Sequence, residues 1–201
     1  MNVVNILIAS VGGQGGLTLS RVLATASVLE GYSVRTGETL GMAQRFGSVI
    51  SFVRVGKEVH APIFGLGEAD FILGLELIEV LRNIMYLKSD GILITADEIK
   101  QPISSSLGLA KRLSRNVIID KIKSDVRNFI IIPARELALK AGSIRALNMV
   151  ILGAFNAIAN LLSEESMLKA IRTILSGKKG LISIKAYKYG YEYVKSMTKH
   201  E

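Results

Sequence analysis

Gly12-Gly-Gln-Gly-Gly16 has the composition of an anion cradle. Glycine adopts positive φ without a Cβ penalty, so backbone N–H groups in such a loop can approach a phosphate or carboxylate, above all at a helix start. The spacing departs from two nucleotide-binding patterns. Thr18 stands where a dinucleotide fingerprint has its third glycine, and no Gly-Lys-Ser/Thr follows as a P-loop requires. Glu38 takes the approximate place of a ribose-binding acid. The plainer use of the same glycines is tight packing of a strand against a helix.

The second unusual segment is Glu38-Thr-Leu-Gly-Met-Ala-Gln-Arg-Phe-Gly-Ser48, which has two glycines, the flexible Met42, an amide and a cation. Loops at strand ends carry the sites of open α/β sheets. Gln44 and Arg45 have the donors for a carboxylate or phosphate, Arg45 in bidentate form. A pairing of Glu38 with Arg45 that merely closes the connection uses the same residues. Other chemistry is scarce. With no cysteine, the chain has no disulfide, thiolate nucleophile, thiolate zinc site or cysteine-ligated iron–sulfur cluster. The two histidines, His60 and His200, are too few and too far apart in sequence to suggest a base pair or metal site.

The elements that position these residues read as α/β. Residues 2–10 form an apolar, β-branched run without alternation, as expected of a strand buried on both faces near the centre of a parallel sheet. Leu17, Leu19, Val22, Leu23, Ala26 and Leu29 then recur at helical spacing until Gly31, and 32–35 restarts an extended segment. Residues 47–56 read as a strand turning at Gly56-Lys57 into 58–60, a hairpin. Strands follow at 70–74, 91–95 and 128–133, with a helix over 76–87 and amphipathic helix candidates in 100–126. Helices are expected over 134–140, 144–162, 164–175 with Ser163 as N-cap, and 181–197, with 177–180 the nearest thing to a linker. The expected fold is a three-layer α/β/α Rossmann-like domain, its sheet mostly parallel plus a hairpin. It forms one domain over 1–201: an α/β core at 1–133 and a helical part at 134–201.

At 201 residues and 49% apolar composition the chain can close a core without staples. The stretch Leu147 to Leu162 is broken by Asn148, Asn156 and Asn160 and is shorter than the roughly 20 residues a bilayer requires, so it reads as a buried helix. Met1 to Ala9 lacks the basic flank of a secretory signal, and a cytoplasmic location is expected. The net charge is +8, and the excess is uneven: residues 100–147 hold ten basic and three acidic residues. Without an aromatic RNA-binding motif or zinc-finger spacing, this reads as solvated helix faces and an acidic or phosphorylated partner rather than nucleic acid.

Four motifs in order, Val11-Gly-Gly-Gln-Gly-Gly16, Glu38 to Val49, Val53-Arg-Val-Gly56 and Asn148-Met-Val-Ile-Leu-Gly153, span essentially the whole chain. They resemble the gamma-type domain of the 2-oxoacid:ferredoxin oxidoreductases, most nearly the small beta subunits of the indolepyruvate branch. Phe46 departs from the glycine usual in that family. The resemblance implies an accessory subunit of a thiamine diphosphate-dependent enzyme. That enzyme converts a 2-oxoacid, an arylpyruvate such as indolepyruvate, to an acyl-CoA and carbon dioxide while reducing ferredoxin. It implies that the isolated chain is inactive and binds no cofactor tightly. A larger partner subunit is expected to hold thiamine diphosphate, magnesium and 4Fe-4S clusters, with coenzyme A as co-substrate and ferredoxin met through the complex. The cofactor-binding candidates are then Gly12, Gly13, Gln14, Gly15, Gly16, Glu38, Met42, Gln44, Arg45 and Arg54, facing the partner or coenzyme A phosphates. No residue is assigned a chemical step or a metal. Two alternatives stand beside this: a free-standing nucleotide-binding Rossmann-like module using the glycine loop and Glu38, and a ligand-free scaffold docking through 148–162.

Overall fold

The computed structural model describes residues 3–40, 47–102, 105, 107–109 and 111–197. The first apolar run is strand β1 (Val4–Val11), and the strands that follow are β2 (Ser33–Leu40), β3 (Ser48–Gly56), β4 (Ala69–Gly74), β5 (Leu87–Ala96) and β6 (Asn128–Ile132). They form one six-stranded sheet in the order β2-β3-β1-β4-β5-β6. β1, β4, β5 and β6 run parallel, and β3 is antiparallel to both β1 and β2. Burial on both faces is the reason β1 shows no alternation. Ile6 and Ile8 enter one apolar cluster, and Leu7 and Ala9 enter the other.

The helices divide unequally between the two faces. On the first lie α1 (Gly16–Leu29), α4 (Ala134–Ala141), α5 (Leu147–Ala159), α6 (Glu164–Ile174) and α7 (Gly177–Met197); on the second lie α2 (Leu77–Asn83) and α3 (Arg115–Asp125). α1 closes with Gly31 N–H to the Val28 carbonyl (3.0 Å) and Tyr32 N–H to the Ser27 carbonyl (3.0 Å). Ser163 caps α6 as its sequence predicts, accepting from Ser166 N–H at 3.2 Å, while its own N–H donates to Glu30 Oε1 at 2.6 Å and ties α6 to α1. α5, mostly apolar and buried around its circumference, lies between the sheet and α7. It meets α7 backbone to backbone: a Cβ on Gly153 would lie 1.9 Å from the Tyr187 carbonyl oxygen. The helices after β6 share one apolar cluster with the sheet and α1. Among the described residues no helix is long and apolar enough to cross a membrane.

Three expectations are corrected. Residues 57–60 form no strand, and the hairpin is made instead by β2 and β3, with Ser33 opposite Gly56 and Leu40 opposite Val49. Both edges of β3 are occupied, by β1 and by β2, so a strand after Gly56 has no ladder to join. The helix expected over 76–87 stops at Asn83 and tightens into a 3-10 turn at Ile84–Tyr86. Residues 177–180 are no linker but the first turn of α7, where Gly180 lets the helix pass close to the Leu175 carbonyl.

Candidate functional site

The glycine loop joins β1 to α1 and is held from two sides. Gly12 N–H donates to the Gly47 carbonyl (2.8 Å) and Gln14 N–H to the Val11 carbonyl (3.0 Å). The Gln14 side chain is spent internally: its Oε1 accepts from Val11 N–H at 2.8 Å, and its Nε2 donates to the Leu75 carbonyl at 3.1 Å, fastening the loop to the end of β4. Two glycines adopt the left-handed region, Gly13 at φ +92° and Gly15 at φ +86°. Gly13 has open space around it, whereas a Cβ on Gly15 would come within 2.6 Å of Asn148 Nδ2. Asn148, in the first turn of α5, donates that Nδ2 to the Gly15 carbonyl at 3.0 Å. The start of α5 is therefore clamped against the start of α1 across 133 residues of sequence.

Between these two helix starts opens a cleft of about 500 Å³. Its walls are the glycine loop and Thr18, the segment after β5 with Glu98 and Lys100, Arg135 at the start of α4, the turn Ser143 to Asn148, and Lys179 and Ser183 of α7. α1 has no side-chain cap, so its first-turn N–H groups are left for another acceptor, whereas α5 continues from a 3-10 turn at Ile144–Ala146 in which Ser143 Oγ accepts from Arg145 N–H (3.3 Å) and Asn148 Oδ1 takes Met149 N–H (3.0 Å). Four cations line the cleft, Lys100, Arg135, Arg145 and Lys179, against one acid, Glu98. Arg135 Nη1 lies 3.4 Å from Glu98 Oε2; among the described residues the other three cations form no ion pair. Three unpaired cations beside the glycine loop and the uncapped start of α1 give the cleft the charge and donors that could accept a multiply charged anion.

Behind the cleft lies Glu76, the N-cap of α2, whose fully buried carboxylate accepts from the backbone N–H groups of Lys100 and Glu79, both at 2.8 Å. Burial pushes the Glu76 carboxyl up, and those two N–H bonds offset part of the rise. Glu79, also buried, accepts from Ser48 Oγ at 2.5 Å and lies 3.5 Å from Arg82 Nε.

The structure divides the sequence candidates. Gly13, Gln14 and Gly15 line the cleft, Gln14 with its side chain already engaged. Gly12 lies behind them, and Gly16 packs on Ser10, whose Oγ a Cβ would meet at 2.4 Å. Glu38 lies on the edge strand β2, separated from β1 by β3, and accepts from Ser20 Oγ at 3.3 Å. Arg54 is at the far end of the sheet, opposite Asn5 at the start of β1, and its Nε donates to Asn5 Oδ1 at 2.9 Å. The structure thus places Arg54 at the opposite end of β1 from the glycine loop. Met42, Gln44 and Arg45 fall outside the described residues. Lys100, Arg135, Arg145, Asn148 and Lys179 were not among the sequence candidates. For the four cations the basic excess of the C-terminal half was the one signal, and for Asn148 it was the motif Asn148 to Gly153.

Known proteins resemble this chain over nearly its whole length. The pyruvate ferredoxin/flavodoxin oxidoreductase family pattern matches residues 5–193. The indolepyruvate oxidoreductase subunit IorB of Thermococcus kodakarensis is 38% identical over 195 residues, 96% of each chain. Among solved structures, the gamma subunit of a keto/oxoacid ferredoxin oxidoreductase from Geobacter sulfurreducens superposes with a TM-score of 0.71 at 20% identity, covering 96% of this chain and 99% of that one. A 2-oxoglutarate:ferredoxin oxidoreductase from Magnetococcus marinus, solved with 2-oxoglutarate, coenzyme A and succinyl-CoA, matches with a TM-score of 0.74 at 18% identity. That match takes in 98% of this chain and 32% of that one.

Proposed function

The chain belongs to the pyruvate ferredoxin/flavodoxin oxidoreductase family, and we propose that it is the accessory subunit of a 2-oxoacid:ferredoxin oxidoreductase acting on an arylpyruvate such as indolepyruvate. The overall reaction joins the acyl group of the 2-oxoacid to the thiol of coenzyme A, releases carbon dioxide and passes two electrons to ferredoxin. The identity to an indolepyruvate oxidoreductase subunit supports the substrate class. Thiamine diphosphate with magnesium would supply carbanion stabilisation and 4Fe-4S clusters the electron path. This chain has no cysteine to ligate a cluster, and among its described residues no three His, Asp or Glu side chains gather as a metal site. Those groups are assigned to a larger partner subunit in the cytoplasm, without which the chain is inactive.

This chain's own contribution is the cleft, which takes the phosphates of coenzyme A. The observation that carries this is the convergence of Lys100, Arg135, Arg145 and Lys179 on the glycine loop and the uncapped start of α1. A nucleotide-binding module of the dinucleotide type has less support, because its ribose acid, Glu38, is two strands away from β1. The test is steady-state kinetics of the complex reconstituted with its partner. A charge-assisted hydrogen bond contributes about 1.5–3 kcal/mol, so Arg145→Ala with Lys179→Ala is expected to raise KM for coenzyme A by roughly tenfold or more, with KM for the 2-oxoacid unchanged. An unchanged KM for coenzyme A refutes the assignment. A thermal shift with NAD(H) or a flavin, and none with coenzyme A, favours the dinucleotide reading.

A further inference from the structure

Two adjacent residues at the carboxyl end of β4 support both walls of the cleft. Leu75 takes the glycine loop: its carbonyl accepts from Gln14 Nε2 at 3.1 Å, and its N–H donates to the Ala9 carbonyl at 2.9 Å. Glu76 takes the opposite wall. Its Oε1 accepts from Lys100 N–H and its Oε2 from Glu79 N–H, while the next residue, Leu77, donates its N–H to the Glu98 carbonyl at 2.9 Å. Residues 98 to 100, which bring Glu98 and Lys100 to the cleft, thus hang from Glu76 and Leu77.

Capping α2 does not by itself explain this residue. An N-cap needs one acceptor, and Ser, Thr, Asp or Asn provides it without the desolvation cost of a longer carboxylate with no exposed surface. Glu76 reaches further and spends its second oxygen 24 residues away, on the backbone that carries Lys100. Lys100 in turn stands where the main cleft meets a smaller one of about 260 Å³ bordered by Ser48 and Glu79. The arrangement gives a buried carboxylate the task of fixing where an exposed cation sits.

We infer that Glu76 is a positioning residue of the anion cleft, acting through the backbone of Lys100. The inference rests on the reading that the cleft takes coenzyme A. Glu76→Gln preserves shape and one acceptor but turns an amide NH2 against a backbone N–H, so one of the two bonds breaks. In the complex reconstituted with its partner, Lys100→Met is expected to raise KM for coenzyme A roughly tenfold, and Glu76→Gln to raise it by several-fold, with kcat and KM for the 2-oxoacid unchanged. The double variant is expected to be no worse than Lys100→Met alone, because Glu76 has then lost the group it positions. A double effect equal to the product of the single ones overturns the inference and leaves the coenzyme A reading intact. So does an effect of Lys100→Met with none of Glu76→Gln. If neither Lys100→Met nor Arg145→Ala moves KM for coenzyme A, both fail together. Should Glu76→Gln not fold, amide hydrogen exchange of the unmodified chain decides: Lys100 N–H is expected to be protected, and exchange at the rate of an open loop overturns the inference.

Discussion

Substituting alanine separately at Gly13 and Gly15 distinguishes a glycine required for its backbone angle from one required also for space. Both sit in the left-handed region, at φ +92° and +86°, where a Cβ costs about 1–2 kcal/mol. Around Gly13 nothing lies within reach of the added methyl, so the conformational term is the whole effect. At Gly15 the methyl would stand 2.6 Å from Asn148 Nδ2, and that side chain must leave its 3.0 Å bond to the Gly15 carbonyl. A lost hydrogen bond of this kind adds about 1 kcal/mol. Gly13→Ala is therefore expected to lower the unfolding free energy by about 1–2 kcal/mol and Gly15→Ala by about 2–3 kcal/mol. For a chain of this size each kcal/mol moves Tm by roughly 2–4 °C. Urea denaturation followed by circular dichroism measures both, and adding Asn148→Ala should bring the cost of Gly15→Ala down to that of Gly13→Ala. Equal costs for the two glycines, or a gap that survives removal of Asn148, would refute the clamp between the starts of α1 and α5.

Two further predictions concern the interior. Gly153→Ala brings a Cβ to 1.9 Å from the Tyr187 carbonyl and 2.9 Å from Tyr191 N; on a solvated helix this change would stabilise by roughly 1 kcal/mol, but here α5 and α7 must separate, and a loss of about 3 kcal/mol is expected in urea denaturation. A stabilised Gly153→Ala protein contradicts the crossing. The Glu76 carboxyl is raised above its unfolded value by burial. The native state therefore holds a proton that the unfolded chain has released, and the contribution, full below the unfolded pKa of about 4.3, is lost as pH rises through the folded pKa. Urea midpoints of the unmodified protein should fall over that interval relative to Glu76→Gln, and parallel curves would show that Glu76 does not titrate apart from its unfolded value.

Much of the fold is local in origin. The apolar β1, the mostly apolar α5 and the Ser163 cap follow from composition and spacing within a few residues. The β2–β3 hairpin was not legible, because the pattern of 47–56 says that it is a strand and nothing about which edges its partners occupy. Arg54, grouped with the glycine loop as a candidate, stands at the other end of the sheet, since β3 runs antiparallel to β1 and carries its end away from the glycine loop.

By itself the sequence determined the class of the protein: a cysteine-free α/β chain with a glycine loop at its first strand-to-helix turn, in an order of motifs that resembles one oxidoreductase family. Those are properties of neighbours along the chain and of residue types. Only the tertiary structure decided which cations meet that loop. Lys100, Arg135, Arg145 and Lys179 come from a strand exit, two helix starts and the first turn of the last helix, and each looks in sequence like an ordinary solvated charge. They converge because parallel strands deliver their carboxyl ends to the same edge of the sheet, and because the packing of α5 on α1 and α7 closes the space above it.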